Sequence, residues 1–255
     1  MKELNGNVNL KSFFEKVKQR SLLLLDFDGT LAPFVTERMD AKVYPGIREH
    51  FIALLQTGKT RIVIISGRAL KDLEKILGDL PQVELWGSHG LERKQVNGNI
   101  SNIVLNPRLL EGLAKAKDLV KAEDCECKPY SVALHWRGKE SKKEELLETI
   151  EKKWTEIGKE YDLELHHFDG GLELRPRGYS KGDVVHHLLK EEPSDIAIAY
   201  LGDDMTDEDA FKVLGKRGLK VLVREQLRPT LADLHLIPPK ELLAFLDRWK
   251  GGSNE

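Results

Sequence analysis

The sequence predicts a doubly wound, mainly parallel α/β core interrupted by an inserted α+β unit. Three observations predict it. Short apolar runs at Leu22–Leu25, Arg61–Ile65 and Val83–Trp86 alternate with segments of helical pattern, joined by short connections. From Asn106 that rhythm gives way to helix, two strands, helix, two strands, and it resumes at Lys181. The strands of the alternating part stop abruptly at polar or acidic residues, among them Asp26, Ser66, His89 and Asp203.

Each element has its own warrant. Leu10–Arg20 places Phe13, Phe14 and Val17 on one helical face. Leu22–Leu25, four leucines in succession, is the pattern of a strand covered on both faces. Pro45-Gly46 opens a helix that runs to Leu55 and is ended by Gly58. The strand Arg61–Ile65 stops at Ser66-Gly67-Arg68, and a helix from Ala69 to Leu77 is stopped by Gly78. Val83–Trp86 runs into Gly87-Ser88-His89-Gly90-Leu91-Glu92. In the inserted part, Asn106-Pro107 starts a helix to about Lys121, and strands are expected at Glu126–Lys128 and Ser131–Arg137. A helix over Ser141–Tyr161 opens with a capping-box spacing, Ser141 to Glu144. Strands Leu163–Phe168 and Leu172–Arg175 are joined by the hairpin signal Asp169-Gly170-Gly171. The parallel rhythm returns with a helix Lys181–Lys190, a strand Ile196–Leu201, a helix after Met205 and a strand Leu219–Val223. A last helix spans about Pro239 to Trp249. The core is therefore expected over residues 1–105 and 179–255, and the inserted unit over 106–178.

Composition narrows the function classes. The formal net charge of the 255 residues is −2 with both signs interspersed, so no basic surface for nucleic acid is advertised. No apolar run approaches the length of a membrane span. Met1–Asn9 is polar and Leu10–Arg20 charged, unlike a signal peptide, so a cytoplasmic chain is expected. The two cysteines, Cys125 and Cys127, lack the ligand set of a structural zinc site. Alternate residues of one strand rarely make an unstrained disulfide, so they are expected reduced and half-buried.

Ligands of open α/β sheets bind outside the carboxyl ends of the strands, where the polar strand ends collect. Asp26 and Asp28 end a buried strand one residue apart, and like charges that close need a cation between them. Oxygen ligands of this hardness suit Mg²⁺. Gly29 lets the backbone turn and bring N–H groups toward an anion, although Asp-Gly alone is also the ordinary end of a strand. Ser66 by itself is an ordinary helix cap; beside Asp26 it could hold a phosphoryl oxygen at a helix N-terminus. Lys181 opens a helix, where the dipole disfavours a cation unless a negative partner is present. In Gly202-Asp203-Asp204-Met205-Thr206-Asp207-Glu208-Asp209 the later acids complement a helix dipole, which leaves the strand-end Asp203 unexplained. Glu126 and Lys128 share one strand face, as do Glu173 and Arg175; cross-strand ion pairs on a solvent face would account for both.

Asp26-Phe27-Asp28-Gly29-Thr30-Leu31 resembles the nucleophile motif of the haloacid-dehalogenase-like phosphatases, and Ser66, Lys181 and Asp203 follow in that superfamily's order. Gly202–Phe211 and His89-Gly90-Leu91-Glu92 are similar to motifs of the trehalose-6-phosphate phosphatases, as are Glu126-x-Lys128 and Glu173-x-Arg175-Pro176. The resemblance covers Leu22 to about Leu246. It implies a Rossmann-like core with a cap, and Mg²⁺-dependent hydrolysis of trehalose 6-phosphate to trehalose and phosphate through an aspartyl phosphate. In that scheme Asp26 is the nucleophile, Asp28 the acid and then the base, and Ser66 and Lys181 hold phosphoryl oxygens. Asp26, the Asp28 backbone carbonyl and Asp203 would hold the metal, supported by Asp204 and Asp207. A kindred ATPase would carry Thr where Asp28 stands. The resemblance further implies substrate contacts from Gly67, Arg68, His89 and Gly90, and from Glu126, Lys128, Glu173 and Arg175 of the cap. The expected partner is a phosphorylated disaccharide, met by a monomer working beside a trehalose-phosphate synthase. Ser180, before Lys181, departs from the Asn common in the family. Two other readings stay open: a phosphatase of another phosphorylated sugar, such as mannosyl-3-phosphoglycerate, and a non-catalytic phosphosugar-binding module. The extra carboxylate of the first would ask for cations where Glu126 and Glu173 stand, and the intact Asp26, Asp28 and Lys181 weigh against the second.

Overall fold

A computed structural model describes residues 1–4, 8–78, 80–121, 125–136, 143–168 and 170–251. The chain divides into two compact units, Met1–Ile100 with Ser180–Glu255, and Ser101–Tyr179. The first unit begins with β1 (Lys2–Glu3), α1 (Leu10–Val17), β2 (Ser21–Leu25), α2 (Ile47–Gln56) and β3 (Thr60–Ile65). It continues through α3 (Leu70–Ile76), β4 (Glu84–Gly87), β5 (Glu92–Lys94) and β6 (Ile100–Asn102), the last running just past the unit's edge. The second unit comprises α4 (Pro107–Asp118), β7 (Cys125–Cys127), β8 (Val132–His135), α5 (Lys143–Leu146), a π-helical stretch Leu147–Glu151, α6 (Lys152–Tyr161), β9 (Leu163–Phe168) and β10 (Gly171–Pro176). The chain then returns to the first unit with α7 (Lys181–Glu191), β11 (Ala197–Gly202), α8 (Met205–Leu214), β12 (Leu219–Val223), β13 (Leu234–Leu236) and α9 (Lys240–Trp249).

The core sheet has the order β1-β13-β12-β11-β2-β3-β4-β5-β6. From β13 to β4 every pairing is parallel. Strand order runs outward from β2 to β4 on one side and from β11 to β13 on the other. The reversal therefore lies between β2 and β11, and open α/β sheets bind their ligands at the carboxyl ends of the strands at such a reversal. Leu25 pairs with Leu201 across that junction, so Asp26 and Asp203 leave the sheet side by side.

The four leucines of β2 show why this strand can hold charge only at its end. Leu23 and Leu25 pack with Phe14, Phe51, Phe245 and Trp249 on one face. Leu22 and Leu24 pack with Val185, Leu188 and Phe211 on the other, and none of the four is exposed. Each such side chain contributes about 1.5–3 kcal/mol relative to exposure, and an unpaired charge in the same run would cost more than that.

Several elements differ from expectation. The strands β1, β5, β6 and β13 have no counterpart in the sequence reading: they are two or three residues long, too short to display a period. α1 ends at Val17 rather than Arg20, because Lys18, Gln19 and Arg20 bring no apolar residue to its buried face. The capping box expected at Ser141, the strand residue Arg137 and the turn residue Asp169 lie outside the described residues. Among the described residues no helix is long and apolar enough to cross a membrane.

The second unit is a four-stranded antiparallel sheet, β7-β8-β10-β9. Helices α4 and α6 lie close enough that a Cβ on Gly112 would come 2.5 Å from Tyr161 Cβ. The Trp154 indole N–H donates to the Ala116 carbonyl at 3.1 Å between them. Register sets Glu126, Ala133, Glu173 and His166 in one row across the four strands, on the face opposite Leu134, Leu172 and Leu174 of the adjoining positions.

Candidate active site

At the β2/β11 junction three acids and a lysine are buried together: Asp26, Asp203, Asp207 and Lys181. Lys181, the first residue of α7, donates to Asp26 Oδ1 at 2.6 Å and to Asp207 Oδ1 at 2.8 Å. The negative partner that its helix-opening position asks for is thus a pair of carboxylates. Ser180 caps α7 by accepting from the Asp183 N–H, the same service an Asn would give. Burial in so acidic a site makes charge costly. It pushes the Asp26 carboxyl up to about 7 despite the opposing Lys181 cation, with Asp207 and Asp28 adding repulsion. Asp203 is raised well above the ordinary carboxylate range, first by burial and then by Asp26 and Asp207.

Each acid has different company. Asp207 Oδ1 accepts from Lys181 and from the Tyr200 hydroxyl at 2.7 Å; its Oδ2 accepts from the backbone N–H groups of Asp203 and Asp204, both at 3.0 Å. Four hydrogen bonds fill a carboxylate's acceptor sites, so Asp207 orients its neighbours although it lies within 4.8 Å of Asp26 and Asp203. Asp203 is the opposite case. Both of its carboxylate oxygens are buried, and neither has a hydrogen-bond partner among the described residues. Its carboxylate packs on Gly29, where a Cβ would come within 2.2 Å of Oδ2. A buried, bare carboxylate beside a second one fits a hard divalent cation, and the all-oxygen donor set fits Mg²⁺. Asp26 and Asp203 are the side chains that could hold it.

Asp28 faces another partner. Arg68, itself buried, donates from Nε to Asp28 Oδ2 at 2.7 Å and from Nη2 to Asp28 Oδ1 at 2.6 Å. Its Nη1 reaches the Arg38 carbonyl at 2.7 Å. Arg68, expected against substrate, thus spends its donors on the carboxylate assigned as acid and base. Ser66 Oγ accepts from the Arg68 N–H at 3.1 Å and so fixes the turn that delivers the guanidinium. Ser66 does not cap a helix as expected: α3 starts only at Leu70, whose N–H is accepted by Glu92 Oε2 at 2.9 Å. His89, with φ of 55°, lays its ring on Gly67, where a Cβ would lie 2.6 Å from two ring atoms. Gly90 backs against Val184 of α7 in the same manner.

The remaining candidates lie in the second unit. Glu173, also buried, accepts at Oε1 from Lys128 Nζ at 2.7 Å and from Ser131 Oγ at 2.6 Å. Glu126 Oε2 pairs with His135 Nε2 at 2.9 Å and lies 3.9 Å from Lys128 Nζ. Arg175 is buried against Glu164, Nε to Oε1 at 3.3 Å, and against His166. The cross-strand ion pairs expected of a solvent face are present, yet three of the four side chains are nearly fully buried.

Sequence reasoning did not single out Tyr200, Arg228 or the fork between Arg68 and Asp28. Tyr200 could have been found, since it is the one hydroxyl in the apolar strand β11. Arg228 holds the Asp203 carbonyl at 3.2 Å and the Asp204 carbonyl at 2.7 Å. It comes from a connection with no motif of its own.

A family model described as trehalose-phosphatase matches residues 24–235. A probable trehalose-phosphate phosphatase 4 of Oryza sativa subsp. japonica is 30% identical over 275 residues, covering 95% of this chain and 71% of that protein. The trehalose-phosphate phosphatase of Mycobacterium tuberculosis is also 30% identical, over 247 residues; the match covers 91% of this chain and 62% of that longer protein. Among solved structures, the C-terminal domain of the Candida albicans trehalose-6-phosphate phosphatase superposes with a TM-score of 0.78 at 25% identity, covering 99% of this chain and 100% of that one.

Proposed function

The chain belongs to the trehalose-phosphatase family, and from that premise we propose that it hydrolyses trehalose 6-phosphate to trehalose and phosphate at Asp26. The observation that carries the reading is the bare, buried Asp203 carboxylate beside Asp26 at the strand-order reversal. Such a group is expensive to keep for structure alone. Asp26, the Asp28 carbonyl and Asp203 would hold Mg²⁺, which supplies positive charge between these carboxylates and a dianionic phosphate.

In the proposed reaction Asp26 attacks phosphorus, the phosphorus–sugar oxygen bond breaks, and an aspartyl phosphate forms. The leaving oxygen takes its proton from Asp28. Asp28 then takes a proton from the water that attacks the aspartyl phosphate, and phosphate departs with Asp26 restored. Lys181, already 2.6 Å from Asp26 Oδ1, is placed to neutralise a phosphoryl oxygen as charge shifts. Ser66 offers its hydroxyl from the end of the neighbouring strand β3. Arg68 grips both Asp28 carboxyl oxygens, at 2.7 and 2.6 Å, so Asp28 must swing out of that fork to reach the leaving oxygen.

The second unit supplies the contacts for sugar hydroxyls in this reading, through Glu126, Lys128 and Glu173. A substrate with an added carboxylate would require uncommitted cations there, whereas Lys128 and Arg175 are neutralised by Glu173 and Glu164. The reading is tested by phosphate release from a panel of sugar phosphates, with Mg²⁺ and with EDTA. Turnover is expected to favour trehalose 6-phosphate and to vanish in chelator. Full activity in EDTA would remove the metal from Asp203, and preference for another phosphosugar would overturn the substrate.

A further inference from the structure

The cysteines of the second unit flank one of the side chains assigned to the sugar. Cys125 and Cys127 stand either side of Glu126 on β7 as free thiols, with their sulfurs 3.3 Å apart. They share a strand face, and Glu126 points to the other. Cys127 is exposed and Cys125 half-buried, so a small reagent in solvent reaches Cys127 first. β7 is an edge strand whose one neighbour in the sheet is β8, which leaves its backbone freer to bend than that of an inner strand. We propose that Cys125 and Cys127 form a modification site that reacts with a small-molecule disulfide and closes to an intramolecular disulfide, moving Glu126 out of place. The second half of that proposal rests on the assignment of Glu126 to sugar binding.

The chemistry balances without a further oxidant. The Cys127 thiolate attacks one sulfur of the small disulfide, forming a mixed disulfide and expelling one thiolate. Cys125 then gives up its proton and attacks the Cys127 sulfur, expelling the second thiolate. Two protein thiols are oxidised to one disulfide, and one small disulfide is reduced to two thiols. Burial, with the Cys127 sulfur as hydrogen-bond partner, pushes the Cys125 thiol up to about 12. Cys125 therefore keeps its proton longest and acts second. Alternate Cα atoms of an extended strand are roughly 6.5 Å apart, near the upper limit for a disulfide, so ring closure must shorten β7 at Glu126. A bond closed under such strain is readily reduced again, which makes the modification reversible.

The test treats the full chain with oxidised glutathione and follows intact mass, free-thiol content and kinetics. The expected product has lost two hydrogens and both free thiols, carries no glutathione, and is restored by dithiothreitol. The KM for trehalose 6-phosphate should rise severalfold in the oxidised form while hydrolysis of p-nitrophenyl phosphate is unchanged. Cys125→Ser should stop at a stable single glutathione adduct. A parent chain that stops at that adduct, or does not react, overturns the thiol site. A disulfide that forms with KM unaltered overturns the coupling to Glu126. Glu126→Ala separates the two premises: if it leaves KM unchanged, the sugar assignment fails while the mass result stands on its own.

Discussion

Among the described residues, two of the clusters of buried charge, one in each unit, are built on opposite principles. In the core, Asp26 and Asp207 pair with the cation Lys181, and the carboxylate of Asp203 beside them has no hydrogen-bond partner among the described residues. In the second unit, Glu173 is matched by Lys128 and Ser131, Glu126 by His135, and Arg175 by Glu164. The first cluster sets three carboxylates against one lysine; in the second, each named charged side chain has a hydrogen-bond or ion-pair partner within its own unit. Unbalanced burial stores a capacity to bind positive charge, which the proposed reaction uses for a metal ion; balanced burial holds a shape, which the same proposal offers to a neutral sugar.

The contrast can be broken most directly at Asp203. Asp203→Asn should reduce turnover to background for every phosphoester, and it should raise the Tm of the metal-free protein because buried repulsion is removed. Thermal denaturation with and without Mg²⁺ checks both halves: the ion should stabilise the parent and leave the variant unmoved. A metal-free Tm that falls would show that Asp203 is balanced after all. The equivalent loss of charge in the second unit should have the opposite sign. Glu173→Ala removes the 2.7 Å carboxylate partner of the buried Lys128 ammonium, and breaking that buried pair is expected to cost about 3–5 kcal/mol in chemical denaturation. A near-neutral result would mean that Lys128 finds water and that the pairing does not hold the shape.

Glu126 gives a gentler probe, since it is half-buried at the margin of its cluster. Glu126→Ala should lower kcat/KM for trehalose 6-phosphate by about ten- to a hundred-fold, the worth of one charge-assisted hydrogen bond. p-Nitrophenyl phosphate has no sugar, and its hydrolysis should hardly change. Equal losses on both substrates would assign Glu126 to the architecture of its sheet.

The smallest effect sharpens the core side of the comparison through pH. Asp26 is held up at about 7 in the folded chain, against an ordinary value near 3.9 when unfolded. The folded state therefore binds its proton more tightly, and without metal the group costs stability once the unfolded chain ionises. That cost is absent below about pH 3.9, grows as pH rises, and is complete above about pH 7. The Tm difference between the metal-free parent and Asp26→Asn should widen in favour of the variant across that window. Added Mg²⁺ should remove the trend.

How much of this was legible in the sequence varies with the range of the interaction. The apolar run at Leu22–Leu25 is a local signal, and the two covered faces it implies are the two hydrophobic clusters observed. Strand ends at Asp26, Ser66 and Asp203 were legible for the same reason. A parallel sheet with a known order of segments brings its carboxyl ends to one edge. The short strands β5 and β6 were not legible, because three residues of mixed polarity carry no period. Nor was the fate of Arg68. Ser66-Gly67-Arg68 suggested donors for a ligand, and only the turn geometry, with Ser66 Oγ on the Arg68 N–H, swings the guanidinium onto Asp28.

By itself the sequence determined the fold class, the insertion and the identity of the acids, since each depends on patterns spanning a few residues. Tertiary structure decided what those acids do. Lys181 meets Asp26 across 155 residues of chain, and no local pattern states that distance. Asp203 and Asp207 look equivalent in Gly-Asp-Asp-Met-Thr-Asp, yet one is saturated with hydrogen bonds and the other bare. The difference arises because α8 turns Asp207 back onto the strand end while Gly29 of a distant loop makes room for Asp203. Which carboxylate is left uncompensated is a property of packing, and uncompensated negative charge is what a cation recognises.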